Sequence, residues 1–205
     1  MPKAKPKKYD ICALHKAEYV TPRKPVLVEM GAAQYLAIQG RGEPGDKLFQ
    51  AGIGALYNVA FTVKMARKFA GRDYTVSKLE GIWWDSTNPQ RSVGDPGKVW
   101  DWKLMIRTPE FVTQKEASEA IGKLRAKGKP AEVSQVTLES LDEGRCVQVL
   151  HVGPYDQEHT TISQMRSFAE ANGFSFHGIH HEIYLSDPRR VAPAKLRTIL
   201  RHPVK

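Results

Sequence analysis

Two stretches of the chain repeat the same pattern of hydrophobic and polar positions. Each begins with an alternating, strand-like run, QYLAIQGR at 34–41 and RCVQVLHV at 145–152. Each continues through a Gly-Pro turn into a helical pattern and ends in two further strands. The spacings between the predicted elements agree well in the two stretches, whereas the side chains at matching positions are only loosely similar. We therefore predict an α+β fold of two tandem strand–helix–strand–strand repeats with pseudo-two-fold symmetry and a central ligand groove between them.

Changes of hydrophobic period set the predicted boundaries. Asp46 is a favourable N-cap, and the apolar positions after it recur at helical spacing as far as about Phe69. A second amphipathic helix begins after Thr113 and ends at Gly128. The predicted parts are an extended basic leader at 1–24 and a domain at 25–205, with repeat one at about 26–112, a linker helix at about 113–128 and repeat two at about 133–204.

Composition and charge narrow the class of protein. The 205 residues are 41% hydrophobic and 26% charged, as in ordinary globular proteins. No apolar run approaches the ~18 residues of a membrane helix, and the N-terminus lacks a signal peptide's apolar segment. The net charge of +9 supports only weak binding to polyanions, so we expect no specific nucleic-acid partner and no membrane. Two widely separated cysteines favour a reducing compartment, and we expect a cytoplasmic protein.

The sequence gives no indication of a metal ion or a cofactor. HExxH, Cys-x-x-Cys, GxxxxGK[ST] and GxSxG patterns are all absent. His180 and His181 are consecutive in a predicted strand, so they point to opposite faces and cannot easily bind one ion. We therefore predict no metal and no cofactor. The sequence also gives no indication of an obligate protein partner. The expected partner is a small molecule that is planar and aromatic or cationic.

A lone carboxylate in an apolar strand is the main chemical signal. In HHEIYL, alternation places His180, Glu182 and Tyr184 on one face. Burying a carboxylate is costly unless it is paired or hydrogen-bonded. Glu182 is therefore either an edge-strand residue that faces solvent or an arginine, or a pocket carboxylate. In a pocket it would act as a general base or pair with a cationic ligand.

The first repeat carries a matching carboxylate and a cluster of aromatic residues. Glu80 shares a strand face with Ile82 and Trp84. Tyr57, on the first long helix, is either a core residue or a donor to a ligand carbonyl, and Tyr155 lies in the GPYD turn. The four tryptophans, which are either core packing or a flat wall for a planar ligand, are Trp83, Trp84, Trp100 and Trp102.

These segments resemble the GyrI-like small-molecule-binding family, whose domain is two strand–helix–strand–strand units in tandem. The resemblance covers about residues 25–204. It is carried by FQAGIGALYNVAFTVKMARK, SKLEGIWW, WKLMIRTPEFV, HVGPYDQEHTTI and HHEIYLSDPRRVAPAKLRTILRHPV. The family includes effector domains of multidrug-sensing transcription regulators, which are fused to a helix-turn-helix domain. Only about two dozen residues precede the fold here, so we do not expect such a regulator.

One branch of stand-alone members resembles the chain more closely, through LEGIWW and the HHEIYLSDPRR ending. This resemblance implies hydrolysis of the cyclopropane ring of cyclopropanoid DNA-alkylating compounds, and hence detoxification. It implies that Glu182 and Tyr57 are catalytic and that Trp84 holds the planar drug. The further candidates for the ligand site are Trp102, Glu80, Tyr184 and Tyr155. The alternatives are a non-catalytic multidrug-binding or sequestering protein and an interaction protein that inhibits DNA gyrase.

Overall fold

The computed structural model describes residues 8–87 and 99–205, which form one antiparallel sheet with helices on one face. The predicted polar loop STNPQRSVGDPGK lies mostly outside these residues. The strands are β1 (Val26–Met30), β2 (Ala33–Gly42), β3 (Leu79–Trp84), β4 (Trp100–Thr108), β5 (Thr137–Leu141), β6 (Gly144–Val152), β7 (His180–Tyr184) and β8 (Arg197–Pro203). The α-helices are α1 (Ile11–Leu14), α2 (Lys47–Phe69), α3 (Gln114–Ala126) and α4 (Glu158–Ala171).

The strand order follows the two predicted units. The sheet runs β1-β6-β8-β7-β3-β4-β2-β5, so the β7–β3 pair lies at its centre. The unit β2-α2-β3-β4 forms one half, and the unit β6-α4-β7-β8 forms the other. The order outward from the centre is therefore the same in both halves, with β1 and β5 as the two edges. The α+β class is confirmed, and the pseudo-two-fold relation between the units stays a prediction.

The helices begin at the residues that the sequence favours. The carboxylate of Asp46 accepts a hydrogen bond from the Phe49 backbone N–H at 2.7 Å and so caps α2. Thr113 and Glu116 form a capping box at the start of α3. Gly128, with a φ of 69°, follows the end of α3 in the left-handed region that suits glycine. These local signals explain why the bounds of both helices agree with the prediction.

Trp102 lies in the core because two glycines leave room for its ring. Trp102 is 1% exposed and contacts Phe49 edge-on, with ring centroids 5.4 Å apart. A Cβ at Gly40, directly opposite on β2, would lie 2.4 Å from the indole. A Cβ at Gly52, on α2, would lie 3.1 Å from it. Gly52 therefore allows α2 to approach the sheet over this indole.

This packing predicts different effects for two glycine-to-alanine changes. Gly40→Ala should lower the free energy of unfolding by about 1–3 kcal/mol, because the new methyl overlaps a fully packed ring. The matched control is Gly122→Ala in α3, where a Cβ meets open space. It should raise stability by up to about 1 kcal/mol through helix propensity. Urea titration measures both, and similar shifts in the same direction would contradict the account.

The N-terminal segment, residues 8–24, packs on the domain where the sequence predicted an extended leader. Ile11 is 2% exposed, and Tyr9 forms a bridge to Tyr74. Farther along, the Gln148 side chain donates to the backbone oxygen of Val20 at 2.8 Å. The segment therefore covers sheet that would otherwise expose buried polar groups. Residues 1–7 of the predicted leader lie outside the described part of the chain.

Beneath this segment, the sheet face away from α2 and α4, the back face, holds a buried charged network. His181 lies between Glu80 and Glu143, with nitrogen–oxygen distances of 3.0 Å to each. The Arg201 guanidinium contacts Glu143 at 3.0 Å. Burial opposes charge on Glu143, but His181 and Arg201 outweigh it and lower its pKa to about 2. Burial likewise opposes charge on His181, but Glu143 and Glu80 raise its pKa to about 9.

Two further observations concern the described residues alone. None of their helices has the length and apolar character needed to cross a lipid bilayer. Cys12 and Cys146 are free thiols, the first half-buried and the second buried.

Candidate ligand-binding and active site

A cavity of about 1400 Å³ lies on the front face of the sheet, the face that carries α2 and α4. It exists because each helix covers its own half of the sheet: α2 packs on β2 and β4, and α4 packs on β6. The central strands β3 and β7 are left as the floor between them. From this floor, Trp83, Glu182 and Tyr184 face the cavity. The N-terminal segment contributes to the cavity wall through Ile11 and its neighbours.

Two buried carboxyl groups line this cavity. Glu182, on β7, is 5% exposed, and Glu158, the first residue of α4, is 2% exposed. The Oε1 atom of Glu158 is buried and has no hydrogen-bond partner among the described residues. Burial, and then the neighbouring charge of Glu182, raise the pKa of Glu158 well above its usual range. The Nε2 atom of His180 lies 3.6 Å from Oε1 of Glu182.

A hydrogen bond on the cavity floor links the central strands β3 and β7. The Trp83 indole N–H donates to the Tyr184 hydroxyl at 2.9 Å. Burial, and then the charge of Glu182, raise the pKa of Tyr184 well above its usual range. The geometry requires Gly81, because a Cβ there would lie 2.8 Å from the Tyr184 hydroxyl oxygen. The Tyr184 hydroxyl is therefore held in place beside Gly81 by Trp83 of β3.

Aromatic rings line the walls. Phe49 stacks on Trp83 with ring centroids 5.5 Å apart and an interplanar angle of 29°. Tyr155 meets Tyr184 edge-on at 6.0 Å. Burial, and then the charges of Glu158 and Glu182, raise the pKa of Tyr155 to about 12, so its hydroxyl stays protonated at neutral pH. These flat apolar surfaces around few polar groups suit a planar ligand.

The outer wall comes from α2 and the loop after β7. Tyr57 is half-buried and stacks on Phe61 with centroids 6.0 Å apart. Burial, and then the nearby charge of Asp187, raise the pKa of Tyr57, so it too remains a hydrogen-bond donor at neutral pH. Asp187 is paired with Arg189 at 2.9 Å. Among the described residues, no group of three or more metal-ligating side chains is arranged to hold a metal ion.

The structure separates the predicted site residues into three places. Glu182, Tyr57, Tyr155 and Tyr184 line the cavity. Trp102 lies in the core beneath α2. Glu80 and Trp84 lie on the back face, where Glu80 pairs with His181.

The register of β3 and β7 explains this separation. Glu182 is directly opposite Gly81, so it shares its face with Gly81 and Trp83. Glu80 and Trp84 alternate to the other face. The aromatic residue of the GIWW motif that faces the cavity is consequently Trp83, whereas the sequence analysis expected Trp84 there.

Sequence reasoning also missed Glu158. It reads as an ordinary acidic residue in the first turn of an amphipathic helix, where a negative charge is usual. The available signal was its position just after the GPYD turn, which starts the helix beside the groove. Only the fold shows that this position is buried next to Glu182.

Cavity, sheet and helices together define a small-molecule-binding domain. Residues 23–205 match the GyrI-like small molecule binding domain, and the chain belongs to the GyrI-like family. No curated protein matches it. An uncharacterized conserved protein from Listeria innocua is 35% identical with a TM-score of 0.88, and the match covers 97% of this chain and 100% of that one. A hydrolase from the same organism is 34% identical, with a TM-score of 0.85 and the same coverage.

A more distant structure has the same fold. The C-terminal domain of EcmrR is 12% identical, with a TM-score of 0.60, and the match covers 89% of this chain and 97% of that domain. At this identity the similarity concerns the fold alone.

Proposed function

We propose that this protein is a hydrolase that binds planar, largely apolar molecules in the cavity and opens a strained, electrophilic ring by adding water. The substrates proposed are cyclopropanoid DNA-alkylating compounds, and the outcome is detoxification. The observation that carries the proposal is Glu182, a buried carboxylate that lines an aromatic cavity. A full-length relative that is a hydrolase and the sequence resemblance to cyclopropanoid hydrolases support the reaction class.

The chemistry needs one base, one donor and a flat support. In a cyclopropane conjugated to a dienone, water oxygen bonds to the ring carbon and the ring C–C bond breaks. The electron pair moves to the carbonyl oxygen, which gains a proton as the ring system becomes a phenol. Glu182 accepts the proton that the attacking water loses, a role typically worth ~10²- to 10⁴-fold. Trp83 and Phe49 support the planar ring system.

Tyr57 is the proposed donor to the carbonyl oxygen. It lines the cavity from α2, and its raised pKa keeps its hydroxyl protonated. Negative charge grows on the carbonyl oxygen as the ring opens, so this hydrogen bond strengthens in the transition state and lowers the barrier.

Turnover tests the proposal. Purified protein at one-hundredth of the substrate concentration should convert all of a cyclopropanoid compound to the ring-opened alcohol, well above the rate in buffer. Conversion that stops at one equivalent, or that proceeds only at the buffer rate, would contradict catalysis. The protein would then be a binding or sequestering protein. The buried negative charge of Glu182 favours that second function for cationic ligands.

The two tryptophans of the GIWW motif lie on opposite faces of the sheet, so their replacement gives a matched pair of binding predictions. Trp83→Leu should weaken binding of ethidium, a planar aromatic cation, by roughly two- to twelvefold, because it removes an aromatic contact worth ~0.5–1.5 kcal/mol. Trp84→Leu removes the same ring from the back face and should leave the affinity unchanged. Fluorescence anisotropy of ethidium measures both. A larger loss in Trp84→Leu would contradict this placement of the ligand.

A further inference from the structure

We propose that the exposed face of α2 docks on an anionic lipid surface through an apolar stripe, Phe61, Met65 and Phe69, which lysines flank. The docking rests on this surface alone, and only its role in supplying substrate rests on the function proposed above. The sequence analysis expected no membrane, because the charge excess is modest when it is averaged over the chain. The fold places part of that charge beside exposed apolar side chains.

The α2 stripe is an ordered row of exposed apolar side chains. Its three members are four positions apart, so they follow one another along one face of the helix. Phe61 is 51% exposed, Met65 36% and Phe69 80%. The buried residues of α2, such as Leu56 and Val63, belong to the face that packs in the core. A contiguous apolar surface of this kind indicates a contact site, whereas single exposed apolar residues do not.

The charge beside the α2 stripe is positive. α2 contains four basic residues and no acidic one. Two of the four, Lys64 and Arg67, already pair with acidic residues of neighbouring segments. Lys68 follows Met65 by three positions, which places it beside the stripe. Lys127, at the C-terminal end of α3, lines the same surface groove as Met65.

This combination of charge and apolar surface favours an anionic lipid surface over other occupants. A lysine close to such a surface strengthens binding by roughly fivefold, and apolar side chains on the same helix face enter the boundary between headgroups and acyl chains. A second copy of the chain would bring positive charge against positive charge in a symmetric contact. A nucleic acid would attract the lysines and provide no apolar surface for the stripe.

The α2 stripe is continuous with the ligand cavity. Tyr57 stacks on Phe61, and both side chains line the cavity. Phe61 therefore belongs to the cavity wall and to the exposed stripe at once. Docking through the stripe brings this wall of the cavity to the lipid surface, where planar apolar compounds concentrate because they leave water.

Co-sedimentation with lipid vesicles tests the docking without any substrate. The wild type should bind vesicles of phosphatidylcholine mixed with phosphatidylglycerol, and should bind vesicles of phosphatidylcholine alone at least roughly fivefold more weakly. Lys127→Glu should weaken binding to the anionic vesicles by roughly fivefold or more. Phe69→Ser should weaken it by roughly tenfold or more, because a large apolar side chain no longer leaves water on docking.

Two matched controls make the same kinds of change away from the α2 stripe. Lys195→Glu reverses an exposed lysine before β8, and Leu27→Ser replaces a 38% exposed apolar residue on β1, at the sheet edge away from α2. Both variants should bind the anionic vesicles almost as the wild type does. Equal losses in the controls and the stripe variants, or a wild type that does not bind anionic vesicles, would overturn the proposal. So would a dimer in vesicle-free buffer that Phe69→Ser dissociates, because a second copy would then cover the stripe.

Ring opening of a vesicle-borne compound tests the supply of substrate separately. With a cyclopropanoid compound loaded into the anionic vesicles, and with vesicles below half-saturation, Lys127→Glu should be slower than the wild type by about the factor lost in binding. In vesicle-free buffer the two proteins should open the ring equally fast. Equal rates with the loaded vesicles would refute the supply role. The vesicle binding would stand even if ring opening were not found, so failure of the proposed function is distinguishable.

Discussion

Glu182→Gln is expected to bind a cyclopropanoid compound as tightly as the wild type and to open its ring at least roughly a hundredfold more slowly. The amide keeps the shape of the side chain, but it cannot accept the proton of the attacking water. A hundredfold loss is the low end of what a general base contributes. Single-turnover kinetics with excess protein measure the chemical step, and ligand titration measures the affinity.

The matched control for this change is Glu119→Gln, which also converts a carboxylate to an amide. Glu119 is on the exposed face of α3, where it faces Lys115 at 3.9 Å, and its replacement should leave the rate unchanged. If Glu182→Gln opens the ring as fast as the wild type, Glu182 is not the base. If Glu182→Gln loses binding and rate in proportion, its role is in affinity.

The second large effect concerns stability. Glu143→Leu should lower the free energy of unfolding by about 3–5 kcal/mol, because it leaves the Arg201 guanidinium, 1% exposed, without its buried carboxylate. His181 also loses one of its two acidic neighbours. Chemical denaturation at neutral pH gives the value directly.

An exposed ion pair provides the control for this prediction. Glu29→Leu breaks the contact of Glu29 with Arg145 on the edge strand β1, where the glutamate side chain is 68% exposed. Its cost should be below about 1 kcal/mol. Comparable losses from Glu143→Leu and Glu29→Leu would contradict the description of the back face as a buried network.

Much of the fold could be predicted from signals that are local in the sequence. Asp46, Thr113 and Gly128 cap helices through their own side chains or backbone freedom, so their effect is visible in a short window. Alternation in HHEIYL likewise identified which neighbours share a face with Glu182. Both kinds of signal depend on residues within a few positions of each other.

The remaining features depend on contacts that are distant in sequence. Whether Trp83 or Trp84 shares a face with Glu182 depends on the register of β3 with β7, about a hundred positions apart, and alternation within one strand cannot give it. Glu158 becomes part of the site only because α4 starts beside β7. The N-terminal segment lacks hydrophobic periodicity, and its contacts are mostly individual hydrogen bonds such as that of Tyr19 to Glu80.

A crystal structure of Glu182→Gln with an intact cyclopropanoid compound bound would test the central claim most directly. The account predicts the planar ring system in the cavity against Trp83. It places the electrophilic ring carbon toward residue 182, with room for one water between them, and the carbonyl oxygen within hydrogen-bonding distance of Tyr57. A compound bound on the back face near Trp84, or in the cavity with its ring carbon turned away from residue 182, would contradict it.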